Sequence, residues 1–514
     1  MRWALLFALV LAFVGCGEDE RGASGAGEHA RGFLDPDTQT VITVDLDYDG
    51  EQWDALAALY ERLAPGILAG EMMDELATLD GALRSLAREG DLDFDADIRP
   101  VLDGTLVIGL RPAPPDRDQG LLDQPVQLQA VYRTDAEALA RLTRALGLKP
   151  DPDLSSEGLD YLEDEIAVAG GDTVLLDLDG GVNRMPEGPP LAADRLPAEG
   201  DDLVAARLQP GALASMFRGA ALEQVLATPA GAALRGADST LRVEEDGLSA
   251  EARVDFDGLA ADELPLPPAS DLQLPDAPFA SASADQSQTT VFLARLVRAA
   301  FPGSRFVERV EGFERAAGIS FDDAVLGAFA GPSVTVFDPL ADPPAFAARS
   351  TLRDPDAMRE LLPDLAPALP AILESLEALG RGGLVTLLLV APDAPMTPQA
   401  FGAPGGVRVR PLGEGDELLY EVTGFEDGDV PGAPAQIVFG VLDDAFVVGS
   451  SAEQARRAAT LETVPAEPAA TRLRIRPGEL APDEELAVLI DRVEIDASAE
   501  DGDIVAHGEL RLAD

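Results

Sequence analysis

Apolar and polar positions recur along this chain with two periods. In Trp53–Leu63 the apolar residues Trp53, Leu56, Tyr60 and Leu63 return at helical spacing, which predicts an amphipathic helix. Thr134-Asp135-Ala136-Glu137 has capping-box spacing, and Leu139, Leu142 and Leu146 then form one apolar stripe. Asp354 before Pro355 opens another helix, with Met358, Leu361 and Leu365 as its stripe. Ser450 and Glu453 repeat the capping-box spacing ahead of Ala455–Ala459. Elsewhere strand formers dominate. Thr40–Asp45, Leu248–Phe256 and Ile504–Leu512 read as strands, and LVTLLLVA at Leu384–Ala391 reads as a buried strand. Turns too short for a helical crossover force antiparallel pairing. The pattern predicts an α+β fold, an antiparallel sheet with helices packed on one face.

The same features appear twice in one order. Gly90–Leu110 and Gly318–Asp338 both run from Gly through apolar-x-Phe-Asp and a short helical stretch into a β-rich run. Val131–Leu146 and Arg349–Leu365 are each a strand entering a helix. Ile166–Gly181 and Ile437–Ser451 read as hairpins. Glu244–Gly258 and Ser498–Leu512 each close with a DG turn and an outgoing strand. Two homologous tandem domains follow, 33–258 and 279–514, joined once through a Pro-rich linker at 259–278. The linker's five prolines favour extended geometry and predict a spacer or edge segment rather than a core element.

The chain starts with a different pattern. Arg2 precedes an unbroken apolar run, Trp3–Val14, of 12 residues. A spanning helix needs about 20, so the run fits the h-region of a signal peptide over 1–15. Phe13-Val14-Gly15-Cys16 resembles the bacterial lipobox, with Phe13 where Leu is usual. That resemblance implies diacylglyceryl modification of the Cys16 thiol, cleavage before Cys16, and membrane lipid as the partner of the acylated residue. Two or three acyl chains hold a protein stably, whereas one holds it marginally. The stretch 16–32 has no large apolar residue from Gly17 to Gly32 and reads as a flexible tether. His29, inside it, is therefore read as neither ligand nor base.

Composition narrows the chemistry. Lys plus Arg number 38 against 93 Asp plus Glu, a net charge of −55, which argues against nucleic acid as a partner. The single cysteine excludes an internal disulfide and a Cys-based zinc site. Asp45-x-Asp47-x-Asp49-Gly50 imitates the start of a calcium loop, but Leu56 stands where the bidentate Glu belongs. These residues are read as solvated carboxylates before a helix N-terminus, where negative charge is favoured. Asp91-x-Asp93-x-Asp95-x-Asp97 lacks both loop glycine and distal Glu and is read the same way. No G-x-S-x-G elbow is present, and His507 sits in a period-two strand as a surface or strand-packing residue. Acidic pairs for glycoside hydrolysis carry no signal among 93 carboxylates. The sole lysine, Lys149, precedes a proline and follows no phosphate-cradling loop. No catalytic, cofactor-binding or metal residue is assigned, and no cofactor is expected.

The segments Phe33–Asp47, Leu92–Leu110, Thr134–Leu142 and Asp246–Phe256 together resemble a bacterial family of secreted or membrane-anchored proteins known as domain of unknown function 3352, here in two tandem copies. The resemblance supplies no catalytic residues. The expectation is a non-enzymatic, lipid-anchored extracytoplasmic protein at the cell surface or in the periplasm, acting in binding or as an envelope scaffold. The alternatives are a solute-binding receptor of a transporter and a carrier of an apolar or lipid ligand.

Overall fold

The computed structural model describes residues 25–67, 78–112, 126–149, 151, 159–163, 166–177, 188–198, 200–211, 224–338, 340–341, 345–380, 408–413, 417–423, 436–481 and 485–513. The stretch 1–15 read as a signal peptide, Cys16 and the Leu384–Ala391 segment lie outside them.

Five β-branched residues in TVITVD make Thr40–Asp45 a strand, β1. It pairs antiparallel with β2 (Thr105–Pro112) on one side and β7 (Val204–Leu208) on the other. From β2 the sheet continues through β3 (Val126–Arg133), β6 (Thr173–Asp177) and β5 (Ile166–Ala169) to β4 (Leu159–Glu163). Beyond β7 lies β8 (Leu234–Glu244), which turns into β9 (Gly247–Phe256). The order is β4-β5-β6-β3-β2-β1-β7-β8.

A second set has the same order. β11 (Phe279–Ser283) pairs with β12 (Ser333–Asp338) and β19 (Thr471–Ile475). β12 leads through β13 (Ala345–Thr351), β17 (Ala445–Gly449) and β16 (Gln436–Leu442) to β15 (Leu418–Thr423), and β19 leads to β20 (Ile490–Glu500). The order β15-β16-β17-β13-β12-β11-β19-β20 matches the first strand for strand. Three strands have no counterpart. β14 (Arg408–Pro411) extends the edge at β15, and β10 (Ser270–Pro275) pairs with β18 (Thr463–Ala469) as a separate ribbon. The last strand is β21 (Asp503–Leu512). Asp501 and Gly502 before it both have positive φ, 50° and 100°, the signature of a primed two-residue hairpin turn.

The chain forms two compact units, one of Met1–Arg218, Arg235–Val254 and His507–Asp514, the other of Gly219–Leu234 and Asp255–Ala506. Each holds one strand set. The division differs from two halves joined once, because the chain passes between units at four points. Within the first unit the Leu512 N–H donates to the Asp246 carbonyl at 2.8 Å, which ties the C-terminal residues to the start of β9.

Helices cover both faces of the second sheet, not one. Residues opposite each other in an antiparallel pair share a face. On one face Phe346 and Phe439 pack with Val310 and Phe313 of helix Arg305–Ala317 and with Met358 and Leu362 of helix Pro355–Gly380. On the other, Ala347, Val438 and Val447 meet Ala455 and Ala458 of helix Ala452–Ala459. Gly449 permits that approach, since a Cβ there would lie 2.4 Å from the Ala455 nitrogen. The same face carries Ala280, Ala282 and Val334 beneath Leu272 and Leu274 of β10. The Pro-rich 259–278 stretch is therefore part of the second unit's core. Its prolines confine β10 to a two-stranded ribbon while Leu264, Leu272 and Leu274 are buried. The Gln288 amide nitrogen holds it further, reaching the carbonyls of Ala261, Leu264 and Leu266 at 2.9, 3.1 and 3.0 Å.

In the first unit the described end of the expected tether is structured. Gly25–Ala30 is a helix, and Ala30 and Leu34 pack on Val41, Val107 and Val131. Small residues let the helix lie close, and Arg31 Nε–H anchors it on the Leu191 carbonyl at 2.6 Å. Gly109 gives Leu34 its seat: a Cβ there would stand 2.7 Å from Leu34 Cδ2 and 3.2 Å from Thr38 Cγ2. Gly109→Val is expected to unseat this segment at about 1–3 kcal/mol. Urea unfolding would read the loss, and hydrogen exchange would place it at residues 25–34.

Candidate functional site

A cleft of about 660 Å³ opens in the first unit. Its sheet side is Thr43, Asp45, Thr105 and Ala205, which share one face by register, with Arg242 and Glu244 farther along β8. Other walls come from Gly50, Glu51, Gln52 and Ala55 around the start of helix Glu51–Ile67, and from Leu196–Ala198 and Asp201–Asp202. Gln52 pins that helix to β8, its Oε1 accepting the Val243 N–H at 2.8 Å, and Trp53 Nε1–H donates to the Asp45 carbonyl at 3.0 Å.

Seven carboxylates line the cleft, those of Asp45, Asp47, Glu51, Asp201, Asp202, Glu244 and Glu245, against one guanidinium, Arg242. Arg242 is engaged with Asp202, whose Oδ1 accepts Nη2–H at 3.0 Å and Nε–H at 3.2 Å. Burial pushes the Asp45 carboxyl above its ordinary range; the Asp47 N–H it accepts at 3.0 Å acts the other way, and the Asp47 charge adds to the rise.

The structure separates the three aspartates of the calcium-like segment. Asp45 and Asp47 face the cleft, whereas Asp49 pairs with Arg99 at 2.5 Å. Among the described residues no group of three His, Cys, Asp or Glu is arranged to hold a metal. The Asp91–Asp97 run serves local structure. Asp93 caps the Phe94–Ile98 turn by accepting the Ala96 N–H at 2.9 Å, Asp97 accepts the Asp93 N–H at 2.9 Å, and Asp95 binds Arg84. His507 stands half-exposed on β21, its Nδ1 3.4 Å from Glu251 Oε2.

His29 is not loose in a tether. Its Nε2–H donates to Thr173 Oγ1 at 2.9 Å, and the Thr173 hydroxyl donates to Asp172 at 2.9 Å. Burial, then the nearby Arg133 charge, lowers its pKa below the ordinary 6.5, with Asp172 opposing. The folded form therefore binds fewer protons than the unfolded chain just below pH 6.5, and this group's contribution is lost as pH falls through that window. His29→Gln keeps a donor and is expected to flatten the fall in stability below pH 6.5; an unchanged difference between the two proteins at pH 7.5 and 5.5 would refute it.

A second cleft, of about 480 Å³, lies in the second unit beside helix Gln286–Ala300, with Val291, Phe292, Arg295, Asp322 and Arg353 in its lining. Its elements are not the counterparts of those around the first. Helix Phe321–Ala324 contributes to it, whereas the corresponding Phe94–Val101 segment does not line the first cleft.

The sequence singles out Asp45 and Asp47, but as solvated carboxylates, whereas Asp45 is half-buried in the cleft wall; Thr105, Asp201, Asp202 and Arg242 are not singled out at all. In β8 the alternating polar residues Asp238, Thr240, Arg242 and Glu244 are the available signal, whereas Val41 breaks that alternation in β1; the Asp202–Arg242 pairing leaves none, because only strand register joins the two.

No family model matches the chain, and no curated protein matches it. Among solved structures, one described as crystal form I of TP0453 is similar at 12% identity over 45% of this chain and 79% of that one, with a TM-score of 0.21. At that score the likeness carries no argument about fold or function. No helix among the described residues is long and apolar enough to cross a membrane.

Proposed function

We propose that this is a lipid-anchored extracytoplasmic protein, non-enzymatic, that holds a ligand in the acidic cleft of its first unit. The observation that carries the reading is the place of the only cysteine: Cys16 ends the apolar run Trp3–Val14 with Gly15 before it. An anchored protein with a preformed cleft in the size range of ligand sites is built for capture near a membrane. The tandem duplication belongs to the same proposal. It is supported by the common order of eight strands and by a shared cross-strand pair, since Arg207 opposite Asp238 stands at the register position of Arg474 opposite Glu494. Membership of the domain of unknown function 3352 family rests on the sequence resemblance alone.

Metabolic labelling with a palmitate analogue in a bacterial host tests the anchor. The wild-type chain is expected to carry label and sediment with membranes, and Cys16→Ser to lose the label. A wild-type chain that stays unlabelled would overturn the proposal.

A further inference from the structure

In both units a segment of chain lies on the sheet ahead of the central strand. In the second it is β10, whose Leu272 and Leu274 cover Ala280, Ala282 and Val334. In the first it is residues 25–34, whose Ala30 and Leu34 cover Val41, Val107 and Val131. This first-unit segment is knit to residues 188–198. Arg31 Nε–H donates to the Leu191 carbonyl at 2.6 Å, and the Leu191 N–H donates back to the Arg31 carbonyl at 3.1 Å. Arg195 Nη1–H reaches the Pro36 and Thr38 carbonyls at 3.0 and 2.9 Å. The chain therefore enters the folded body at a fixed point, Gly25, nine residues after Cys16. Nine residues span at most about 32 Å. A body of the first unit's size is about 45 Å across. A lipid on Cys16 can thus bring the surface around Gly25 to a bilayer, but not the far side of the unit.

We propose that the surface formed by helix Gly25–Ala30 and residues 188–198 lies against the phospholipid bilayer that holds Cys16; the inference rests on the anchor reading above. Chain length limits which side can approach, and charge selects the same surface independently. The chain carries −55, and an anionic leaflet repels carboxylates as it attracts Lys and Arg. In the segments 25–34 and 188–198, however, Glu28 and Asp194 are matched by Arg31 and Arg195, and Glu28 pairs with Arg31 at 2.6 Å. The exposed side chains of Pro189, Pro190, Ala192 and Ala193 carry neither charge nor hydrogen-bonding group, so contact with headgroups leaves no polar side chain there without water. The acidic borders of this surface are Asp37, three residues past Leu34, and the cleft, which Gly27 and Leu196 also line.

The test couples the chain from Cys16 onward, through that thiol, the only one present, to maleimide lipid in vesicles of phosphatidylethanolamine and phosphatidylglycerol. Hydrogen exchange is compared with the same chain capped by N-ethylmaleimide and mixed with the same vesicles. Exchange at 25–34 and 188–198 is expected to slow at least about threefold, with the rest of the first unit unchanged. Ala192→Glu/Ala193→Glu puts two charges on the surface and is expected to remove the slowing. Ala140→Glu/Ala145→Glu puts the same charge at exposed positions of helix Ala136–Ala145 and is expected to leave it in place. No slowing, slowing centred on another part of the first unit, or an equal response to the two pairs overturns the proposal. The coupling is chemical and does not depend on whether a host acylates Cys16, so failure here is separable from failure of the anchor.

Discussion

Leu274→Ala is expected to destabilise the second unit by about 2–5 kcal/mol. Leu274 is 1% exposed and sits on Ala280, Ala282 and Val334. Two of those three neighbours are alanines, which have no side-chain freedom with which to refill the space, so the cavity persists and the loss falls in the upper part of that range. Val464→Ala on the partner strand β18 is the internal control. Val464 is 45% exposed, and its loss is expected within about 0.5 kcal/mol. Urea unfolding of both variants, with hydrogen exchange to confine the effect to residues 270–283, checks the expectation. Near-equal midpoints would mean that the ribbon is a surface decoration rather than part of the second unit's core.

The second large effect concerns Arg298. Its guanidinium holds Glu314 and Asp322 together, at 2.9 Å to each, with all three side chains mostly buried. Glu314 also accepts the Phe321 N–H at 2.8 Å, which couples helix Arg305–Ala317 to the turn that follows. Arg298→Ala leaves two carboxylates side by side without their cation and is expected to cost about 2–4 kcal/mol near neutral pH, a buried-pair loss reduced for partial solvent access. The carboxylates shift in opposite directions. Glu314 is lowered, first by the Arg298 hydrogen bond; Asp322 is raised, first by burial, with the Glu314 charge adding to it. The sign of each follows. The lowered Glu314 contributes stability above its ordinary value of 4.5 that is lost as pH falls through its folded value. The raised Asp322 works the other way, favouring the folded state slightly as it protonates. Glu314 depends on Arg298 most directly, so the gap between wild type and Arg298→Ala is expected to narrow below pH 4.5. A gap that is constant from pH 7 to pH 4 would place the effect in packing rather than charge.

Local pattern foretold the elements far better than their partners. Thr40–Asp45 is β1 residue for residue, and the two hairpins form as β5–β6 and β16–β17. Asp354 caps its helix as read, accepting the Ala357 N–H at 2.9 Å. The capping boxes were displaced by one residue. Asp135, not Thr134, accepts the Ala138 N–H, and Thr134 turns its hydroxyl to Asp103; likewise Ser451, not Ser450, caps Ala452–Ala459. Either neighbour has the chemistry to cap, and tertiary partners decide between them. Helices on both faces went unread because helix Ala452–Ala459 is mostly alanine and charge, so its buried stripe of Ala455 and Ala458 is too slight to register as a core face. The end of the expected tether is helical for a related reason. GAGEHA has no large apolar residue, yet a short helix with Ala30 on one side and Leu34 just beyond finds its core in Val41, Val107 and Val131, with Gly109 making room beneath Leu34. The cleft depends on register among β1, β2, β7 and β8, and one-dimensional spacing does not encode which distant strands become neighbours.

His507–Asp514 complete the first unit, with Leu512 bonded to Asp246 and Arg62 Nη2–H donating to the Ala513 carbonyl at 2.8 Å. A ribosome must therefore pass residue 507 before the body begun first can be closed. Assembly during translation is not a matter of finishing one globule and starting another: β9 waits for its closing residues while everything between is made, and a chain stopped short of residue 507 leaves the earlier body unfinished, however well the later one has formed.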